Sequence, residues 1–455
     1  MLLLILVAAA ALLVGARSGA PPRAERDRNT AAALARAKEA LLGYAVAYYS
    51  SHPGEFAFLP CPDVNGSGIT QEGESHGSCG AKDANTIGRL PWKTLGLPPL
   101  RDSSGECLWY ALSGPYKHVN AATKSDLLNE DSDGRFEILA ADGVQKLAGA
   151  TPGSRAVAVL FAPEAVLPSQ ARTRLPSTVD ICGGNYTPAN YLDQAGDLDN
   201  GSVSSQTDKV DRFGAGPKSD RFNDRLIFIT RDELFRAVRK GNDLERKMGI
   251  LTAAVARCIA RYGLANPGPG AGRLPWPAPV ALADYRRDSA YDDHGAADPA
   301  LSARVPDIVL DSSAATGSPV GSALSACTLA AWTPEVAKLW RNWKDHLFYA
   351  VARAYAPAPA APEACAADNC LKVNGAGPYA ALVIYSGSPL AGQTRSAPPL
   401  DPDAKADIRN YLEGRNAANH PDAAGNGDYQ SGPATPAFND ILYCIDPALN
   451  VAPCP

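Results

Sequence analysis

The chain alternates between apolar or amphipathic stretches and polar segments rich in glycine and proline. Leu2–Ala16 contains fifteen uncharged residues and is followed by the first charge, Arg17. After Pro21–Pro22, leucines and alanines return at helical spacing between residues 26 and 49. The pattern predicts an apolar segment, a proline break and a long amphipathic helix that ends near residues 52–54. The core of the predicted apolar segment comprises Leu2, Ile5, Val7, Leu12 and Val14.

Short apolar runs bounded by Gly, Asp and Ser predict β-strands in the rest of the chain. These runs are residues 107–113, 136–141, 156–162, 225–229, 346–351, 379–385 and 441–445. The turn residues between them favour an antiparallel meander over βαβ units. A second helical stretch starts after Thr230, a predicted N-cap, and extends to about Tyr262 with a break near Gly241. Residues 277–333, rich in Ala, Asp, Ser and Pro, are expected to form a long surface loop.

Several short motifs occur twice, in the same order and 215 to 220 residues apart. They are Leu59–Pro62 and Leu274–Pro277, Asn190–Leu192 and Asn410–Leu412, and Phe222–Asp224 and Phe438–Asp440. A nearly constant offset with preserved order indicates a duplicated module. We therefore predict an α+β fold in which residues 1–22 precede two modules, residues 23–235 and 236–455. Each module would be a helix packed on a small antiparallel sheet with long loops.

The charge of the chain argues against one class of function, and its cysteine content indicates the compartment in which it folds. The net charge is −5 and there is no long basic run, which argues against a nucleic-acid surface. The ten cysteines are even in number, which is typical of disulfides formed in an oxidising compartment. Zinc binding is the alternative, but the chain has no Cys-x-x-Cys. Three local pairs would close short loops: Cys61 with Cys79, Cys365 with Cys370, and Cys444 with Cys454.

The apolar start allows two interpretations. As a membrane anchor it is short, but Arg17 can extend toward the membrane surface and lengthen the span. As a cleaved signal peptide it has a suitable length and a small-residue cleavage site at Val14-Gly15-Ala16. Its positive charges follow the apolar run instead of preceding it, which favours the anchor.

One loop has the spacing of a calcium-binding loop. Asp63, Asn65 and Ser67 occupy positions 1, 3 and 5, a glycine occupies position 6, and Glu74 occupies position 12. The flanks are Pro62 and a cysteine-containing loop instead of two helices, so a polar turn without a metal is the alternative. No H-E-x-x-H signature occurs, and we predict no catalytic residues and no cofactor apart from calcium.

Four segments carry a family resemblance. They are the apolar start with its helix, which includes Ala40–Ala45, then Leu59–Pro62, Gly88–Leu97 and Phe222–Phe235. The chain resembles the type IV pilin-like proteins, the pilins and pseudopilins of bacterial pili and type II secretion. It departs from them in lacking the basic leader, Gly, Phe-Thr-Leu and the Glu of the prepilin signature. Some pseudopilins bind calcium, which agrees with the loop at Asp63.

The resemblance implies a non-enzymatic envelope protein. It would have a single-pass anchor in the inner membrane, a globular part in the periplasm or outside the cell, and other pilin-like subunits as partners. Its function would be in the assembly of a type IV pilus or a type II secretion system. Two alternatives remain: a periplasmic module that binds a carbohydrate or protein, and an envelope hydrolase whose site has no familiar signature.

Overall fold

A computed structural model describes most of the chain from residue 23 onward. The described residues are 23–64, 72–77, 79–118, 128–140, 142–173, 181–265, 272–293, 300–307, 309, 324, 327–357, 364–366, 368–395 and 402–455. The predicted apolar segment, with Leu2, Ile5, Val7, Leu12 and Val14, lies outside this range. Asn65 and Ser67 of the predicted calcium loop also lie outside it.

The described chain contains both helices and strands, joined by long connecting segments, as expected for an α+β protein. The helices are α1 (Arg23–Ser51), α2 (Arg231–Asn242), α3 (Leu244–Ala265), α4 (Pro334–Trp343), α5 (Pro402–Ala406) and α6 (Gly414–Ala418). The strands of the first half are β1 (Thr86–Arg89), β2 (Trp109–Leu112), β3 (Phe136–Ala140), β4 (Lys146–Ala148), β5 (Ala156–Ala162), β6 (Gln194–Ala195), β7 (Leu198–Asp199), β8 (Asp211–Ala215) and β9 (Arg225–Thr230). The strands of the second half are β10 (Ser302–Arg304), β11 (Leu347–Val351), β12 (Leu371–Val373), β13 (Ala376–Tyr379), β14 (Ala381–Tyr385), β15 (Asp428–Tyr429), β16 (Ile441–Ile445) and β17 (Val451–Pro453).

Helix α1 is amphipathic in the way that its sequence predicts. Its buried residues recur every three or four positions and form one stripe: Thr30, Leu34, Ala37, Leu41, Ala45 and Tyr48. The Thr230 side chain accepts a hydrogen bond from the Glu233 amide, which confirms the predicted N-cap of α2. The break between α2 and α3 falls at Asp243, in the left-handed conformation, two residues beyond Gly241. The boundary drawn between residues 235 and 236 therefore lies inside α2.

The two halves of the chain contain the same strand arrangement. In the first, β1, β2, β5 and β9 follow one another in an antiparallel array, and in the second β10, β11, β14 and β16 do the same. Beside each array, β3 pairs antiparallel with β4 and parallel with β8, just as β12 pairs antiparallel with β13 and parallel with β15. Helix α1 packs on β5 and β9, and α3 packs on β14 and β16.

Backbone hydrogen bonds repeat at equivalent positions as well. The Leu59 amide donates to the Tyr116 carbonyl at 3.0 Å, and the Leu274 amide donates to the Tyr355 carbonyl at 2.9 Å. These two leucines open the duplicated Leu-Pro motifs. The duplicated Leu-Pro motifs thus make the same backbone contact in both halves.

The structure corrects the prediction for residues 277–333. We expected a surface loop, but residues 302–304 form the edge strand β10, and all three are buried. Three residues, Ser-Ala-Arg, are too short a run to show an apolar alternation. Their place in the sheet is set by pairing with β11, not by a local pattern.

Helix α3 meets the length and composition of a membrane span. Among the described residues it is the one helix that does so, and 61% of its most apolar window is buried inside the protein. It contributes Leu251, Val255 and Ile259 to a core that also includes residues of α1, α2 and both arrays. Its apolar character is accounted for by packing on β14 and β16.

Five disulfides account for all ten cysteines, every one of which is described. The three short loops predicted from the sequence are closed: Cys61–Cys79, Cys365–Cys370 and Cys444–Cys454. Two further disulfides, Cys107–Cys182 and Cys258–Cys327, join positions 75 and 69 residues apart. With every thiol in a disulfide, no cysteine is free to bind zinc.

The two classes of disulfide should differ in their effect on stability. Replacing Cys258 and Cys327 together with Ala should lower the free energy of unfolding by about 2–4 kcal/mol, because the bond restricts a long loop in the unfolded chain. The same replacement at Cys365 and Cys370, five residues apart, should cost less. Urea denaturation of both variants measures the difference, and equal losses would contradict the loop-length argument.

Candidate functional site

A highly charged, buried region lies where the two halves of the chain meet. Residues 129–133, here called the acidic turn, lie between β2 and β3 and contain three carboxylates, all at most 3% exposed. Each carboxylate meets a cation from α2 or a later element. The pairs are Glu130 with Arg239 at 2.5 Å, Asp131 with Lys405 at 2.9 Å, and Asp133 with Arg231 at 3.0 Å.

Asp131 occupies the centre of this region. Its Oδ2 accepts hydrogen bonds from Lys405 at 2.9 Å and from the Tyr411 hydroxyl at 2.7 Å, and its Oδ1 lies 3.2 Å from His346 Nε2. On the other side, His346 Nδ1 lies 3.1 Å from Asp345 Oδ1, and Lys405 also contacts Asp345. All five side chains are fully buried. We call Asp131, Asp345, His346 and Lys405 the junction cluster.

With His346 protonated, the junction cluster holds two negative and two positive charges. Burial alone would raise the pKa of Asp131, but the charges of His346 and Lys405 hold it well below its ordinary value. Lys405 and His346 lower the pKa of Asp345 in the same way. Burial opposes the charge of His346, yet the two carboxylates raise its pKa. The charges balance, which is what makes such deep burial tolerable.

A metal ion fits this cluster poorly. Asp131, Asp345 and His346 offer ligand atoms within 4.8 Å of one another. A metal needs a histidine nitrogen with a free lone pair, whereas both nitrogens of His346 face carboxylate oxygens. Lys405 already neutralises the same carboxylates. The arrangement therefore fits an ion cluster that joins the two halves, and its complete burial leaves no access for a substrate.

The cluster makes stability depend on pH. Because the folded-state pKa of His346 is raised, its contribution is complete below the unfolded value of about 6.5 and is lost as the pH rises through the folded value. We expect the free energy of unfolding to fall with pH above about 6.5. Urea unfolding between pH 5.5 and 9 measures this slope, and His346→Gln should make it shallower. A variant with the wild-type slope would show that His346 does not titrate as described.

Each half of the chain also contains a tyrosine ring between two arginines. The guanidinium carbons lie within about 5 Å of the ring centres, a distance suited to cation–π contact. Tyr191 is paired in this way with Arg89 and Arg172, and Tyr411 with Arg304 and Arg395. The two tyrosines belong to the duplicated Asn-Tyr-Leu motif, which thus marks a repeated core element.

A buried pair of acids accompanies each tyrosine. Asp224 lies beside Asp193, and burial, followed by the neighbouring carboxylate, raises the pKa of Asp224 well above its ordinary value. Asp440 lies beside Glu413, with the same direction of pKa shift and the same causes. The amides of Asp193 and Glu413 donate to Asp224 and Asp440 respectively. In each half, this contact joins the loop after the tyrosine to the residue just before β9 or β16.

Sequence reasoning found part of this repeated network. The Asn-Tyr-Leu and Phe-Asn-Asp motifs were recognised, but Gln170-Ala-Arg172 and Gln393-Thr-Arg395 were missed. Gln170 donates to the Tyr191 carbonyl and to Asp193, while Gln393 donates to Glu413. The two Gln-x-Arg motifs are 223 residues apart, so a search slightly beyond the 215 to 220 residues of the other motifs would have found the signal.

The predicted calcium loop is described at two of its four ligand positions, Asp63 and Glu74. Asp63 is buried, and its Oδ2 accepts hydrogen bonds from the Gly73 amide at 2.7 Å and the Tyr186 hydroxyl at 3.1 Å. Burial raises the pKa of Asp63 to about 6. Its Oδ1 has no hydrogen-bond partner within the described part of the chain, so this is the oxygen that would meet a cation. The calcium site stays a prediction.

A cleft of about 620 Å³ lies beside the edge strand β10. Most of its wall is small and apolar, and includes Pro279, Val280, Ala303, Ile408, Pro421 and Ala423. Its polar residues are Ser302, Asp407 and His420. The volume is in the range of small-molecule sites.

Comparison with protein-family models, curated proteins and solved structures finds no match for this chain.

Proposed function

We propose that the protein is a non-enzymatic, pilin-like envelope subunit that residues 2–16 anchor in the inner membrane. The observation that carries the proposal is α1. This helix has 29 residues, begins shortly after the apolar segment and lays one buried stripe on β5 and β9. A long helix that leads from a membrane segment onto an antiparallel sheet is the plan that the resemblance implies.

The exposed start of α1 supports a role in assembly. Residues 23–29 are exposed or half-buried, and the continuous buried stripe begins only at Thr30. This end of the helix is free to meet a membrane surface or a neighbouring helix. The equivalent helix α3 packs on its own sheet in the same way, but it follows directly after α2 instead of an apolar segment. Of these two helices, α1 is therefore the one suited to anchoring.

The disulfides support a location outside the cytoplasm. Five disulfides in one chain are typical of the periplasm or another oxidising compartment. With the anchor in the inner membrane, both modules would face the periplasm. Two modules in one subunit suit a tip or capping position better than a repeated shaft position.

The anchor is tested by membrane fractionation of the full chain. We expect the wild type in the membrane fraction, resistant to high salt and released by detergent. Leu4→Glu places a charge in the apolar segment and should release the protein, since a charge at the centre of a membrane helix is costly. Ala24→Glu adds the same charge on the exposed start of α1 and should leave the protein in the membrane fraction. A wild-type protein that is fully soluble would contradict the proposal.

The assembly role is tested by photo-crosslinking. A photoreactive amino acid at Arg28, exposed on α1, should crosslink to a second pilin-like subunit in intact cells. The same group at Val144, 80% exposed on the β3–β4 hairpin, serves as a surface control. Products from Arg28 that contain no pilin-like subunit would contradict assembly while leaving the anchor intact.

A further inference from the structure

The two arrays differ at their last strand. In the second half β17 pairs antiparallel with β16, and the Cys444–Cys454 disulfide joins the two strands. In the described part of the first half, β9 pairs with β5 alone. The Phe-Asn-Asp motifs, which directly precede β9 and β16, make these two strands counterparts. The first array thus ends in an edge at the position that a further strand covers in the second.

The backbone of β9 is oriented to pair on this side. The Phe228 carbonyl accepts a hydrogen bond from Lys38 Nζ at 2.8 Å and therefore points away from β5. Backbone groups alternate along a strand, so Leu226 directs its amide and carbonyl to the same side. In the second half Leu442, the counterpart of Leu226, accepts from the Cys454 amide at 3.2 Å. The same groups of β9 are thus placed to meet a strand.

Apolar side chains are less well covered along this edge than along its counterpart. Leu226 and Phe228 are half-buried and pack against the core cluster that contains Phe161. Their counterparts Leu442 and Cys444, beside β17, are only 4% and 3% exposed. A strand added to β9 would cover the remaining apolar surface in the same way.

We propose that the outer edge of β9 binds an extended, mainly apolar segment of a partner protein as an added antiparallel strand. Unpaired edges accept strands through main-chain hydrogen bonds, with apolar side chains adding contacts on one face. The segment would place an amide donor and an apolar side chain opposite Phe228, as Ala452 does opposite Cys444. Lys38 can release the Phe228 carbonyl, because it also pairs with Glu233 at 2.7 Å. Binding of this segment does not require the membrane anchor.

A partner segment fits this edge better than a second copy of the chain. The stretch from Leu226 to Phe228 is as short as the three residues of β17. Pairing over this length buries far less than the roughly 1,200–2,000 Å² of a stable interface. It therefore suits a segment whose protein is held nearby by further contacts. The outer side of β17 in a second copy is also a poor donor, since Pro453 has no amide hydrogen.

Thiol exchange tests the edge with the strand that covers its counterpart. Phe228→Cys places a thiol at the position equivalent to Cys444, and the probe is a peptide of residues 449–455 whose Cys454 is activated as an aryl disulfide. The control peptide carries an N-methyl group on Ala452, which removes the donor opposite residue 228. We expect the unmodified peptide to react and release the aryl thiolate at least about tenfold faster than the control. Equal rates would overturn the proposal.

Val144→Cys provides the matched control protein, because Val144 is 80% exposed and lies on the β3–β4 hairpin. The two peptides should react with this variant at the same rate. A tenfold preference here as well would come from the peptides instead of the edge, and would also overturn the proposal.

Hydrogen exchange on the wild type keeps the test valid if Phe228→Cys does not fold. A peptide of residues 449–455 with Cys454→Ser, at millimolar concentration, should slow exchange of the Leu226 and Phe228 amides. Unchanged exchange would contradict the proposal. A wild-type dimer in which these amides are already protected would assign the edge to a second copy and contradict it too.

Discussion

Asp131→Ala should lower the free energy of unfolding by about 3–5 kcal/mol, because it leaves buried cations with too few counter-charges. Asp131 accepts from Lys405 and Tyr411 and lies against His346. Without it, one carboxylate, Asp345, faces the charges of both His346 and Lys405. The protein would then lose a proton, admit water or separate its two halves. Equilibrium urea unfolding at pH 6 measures the loss.

An exposed acid provides the control for this variant. Asp220→Ala changes the net charge by the same amount at an exposed position of the first module, and should alter stability by less than about 0.5 kcal/mol. If Asp131→Ala is no more destabilising than Asp220→Ala, the acidic turn does not hold the two halves together as described.

Arg304→Ala should have a comparable effect, about 4 kcal/mol, through lost hydrogen bonds and a cavity. The Arg304 side chain is fully buried and donates to the carbonyls of Val280, Asp345 and Lys405. Its guanidinium also lies 5.2 Å from the centre of the Tyr411 ring. Because two of its acceptors belong to residues of the junction cluster, the loss would reach the cluster as well. Thermal and urea unfolding should agree on the size of the effect.

Arg287 offers a matched arginine on the same module. Its side chain is 76% exposed and pairs with Asp284, so Arg287→Ala should cost less than about 1 kcal/mol. Arg304→Lys tests geometry, since lysine keeps the charge but cannot make the forked contacts of a guanidinium. Wild-type stability of Arg304→Lys would mean that charge alone matters at this position.

The strands that the sequence predicts best are those with continuous apolar runs. Residues 156–162 match β5, and residues 225–229 match β9 to within one position, because both strands are continuous and largely apolar. Strands β8 and β10 were missed, since Asp211–Ala215 and Ser302–Arg304 carry polar residues whose neighbours come from distant parts of the chain. The duplication itself could be predicted because the Leu-Pro, Asn-Tyr-Leu and Phe-Asn-Asp motifs recur in the same order.

The junction cluster could not be predicted from the sequence, because its contacts join distant parts of the chain. Asp131 meets residues more than 200 positions away, and nothing local distinguishes residues 129–133 from a polar surface turn. Their burial follows from the docking of one half on the other. The paired acids were likewise hidden, because Asp193 and Asp224 are 31 residues apart in a loop-rich region. The buried charged contacts of this protein thus join residues that are far apart in the sequence.

Duplication and docking together explain why the chain forms one unit. The first half supplies the acidic turn with Asp131. The second half supplies the three side chains that contact Asp131, which are Lys405, His346 and Tyr411. At the equivalent position in the first half, the Tyr191 hydroxyl accepts from the Asn185 amide instead. The Tyr191 hydroxyl thus bonds within its own half, whereas the Tyr411 hydroxyl bonds to Asp131 of the other half and helps to join the two.

A double-mutant cycle between Asp131 and Lys405 tests this account most directly. The free energy of unfolding is measured for the wild type, Asp131→Asn, Lys405→Met and the double variant. We expect a coupling energy of about 1–3 kcal/mol, with the double variant more stable than the sum of the single losses predicts. Losses that add to within about 0.5 kcal/mol would show that the two side chains act independently, and would contradict a charge cluster that locks the two halves together.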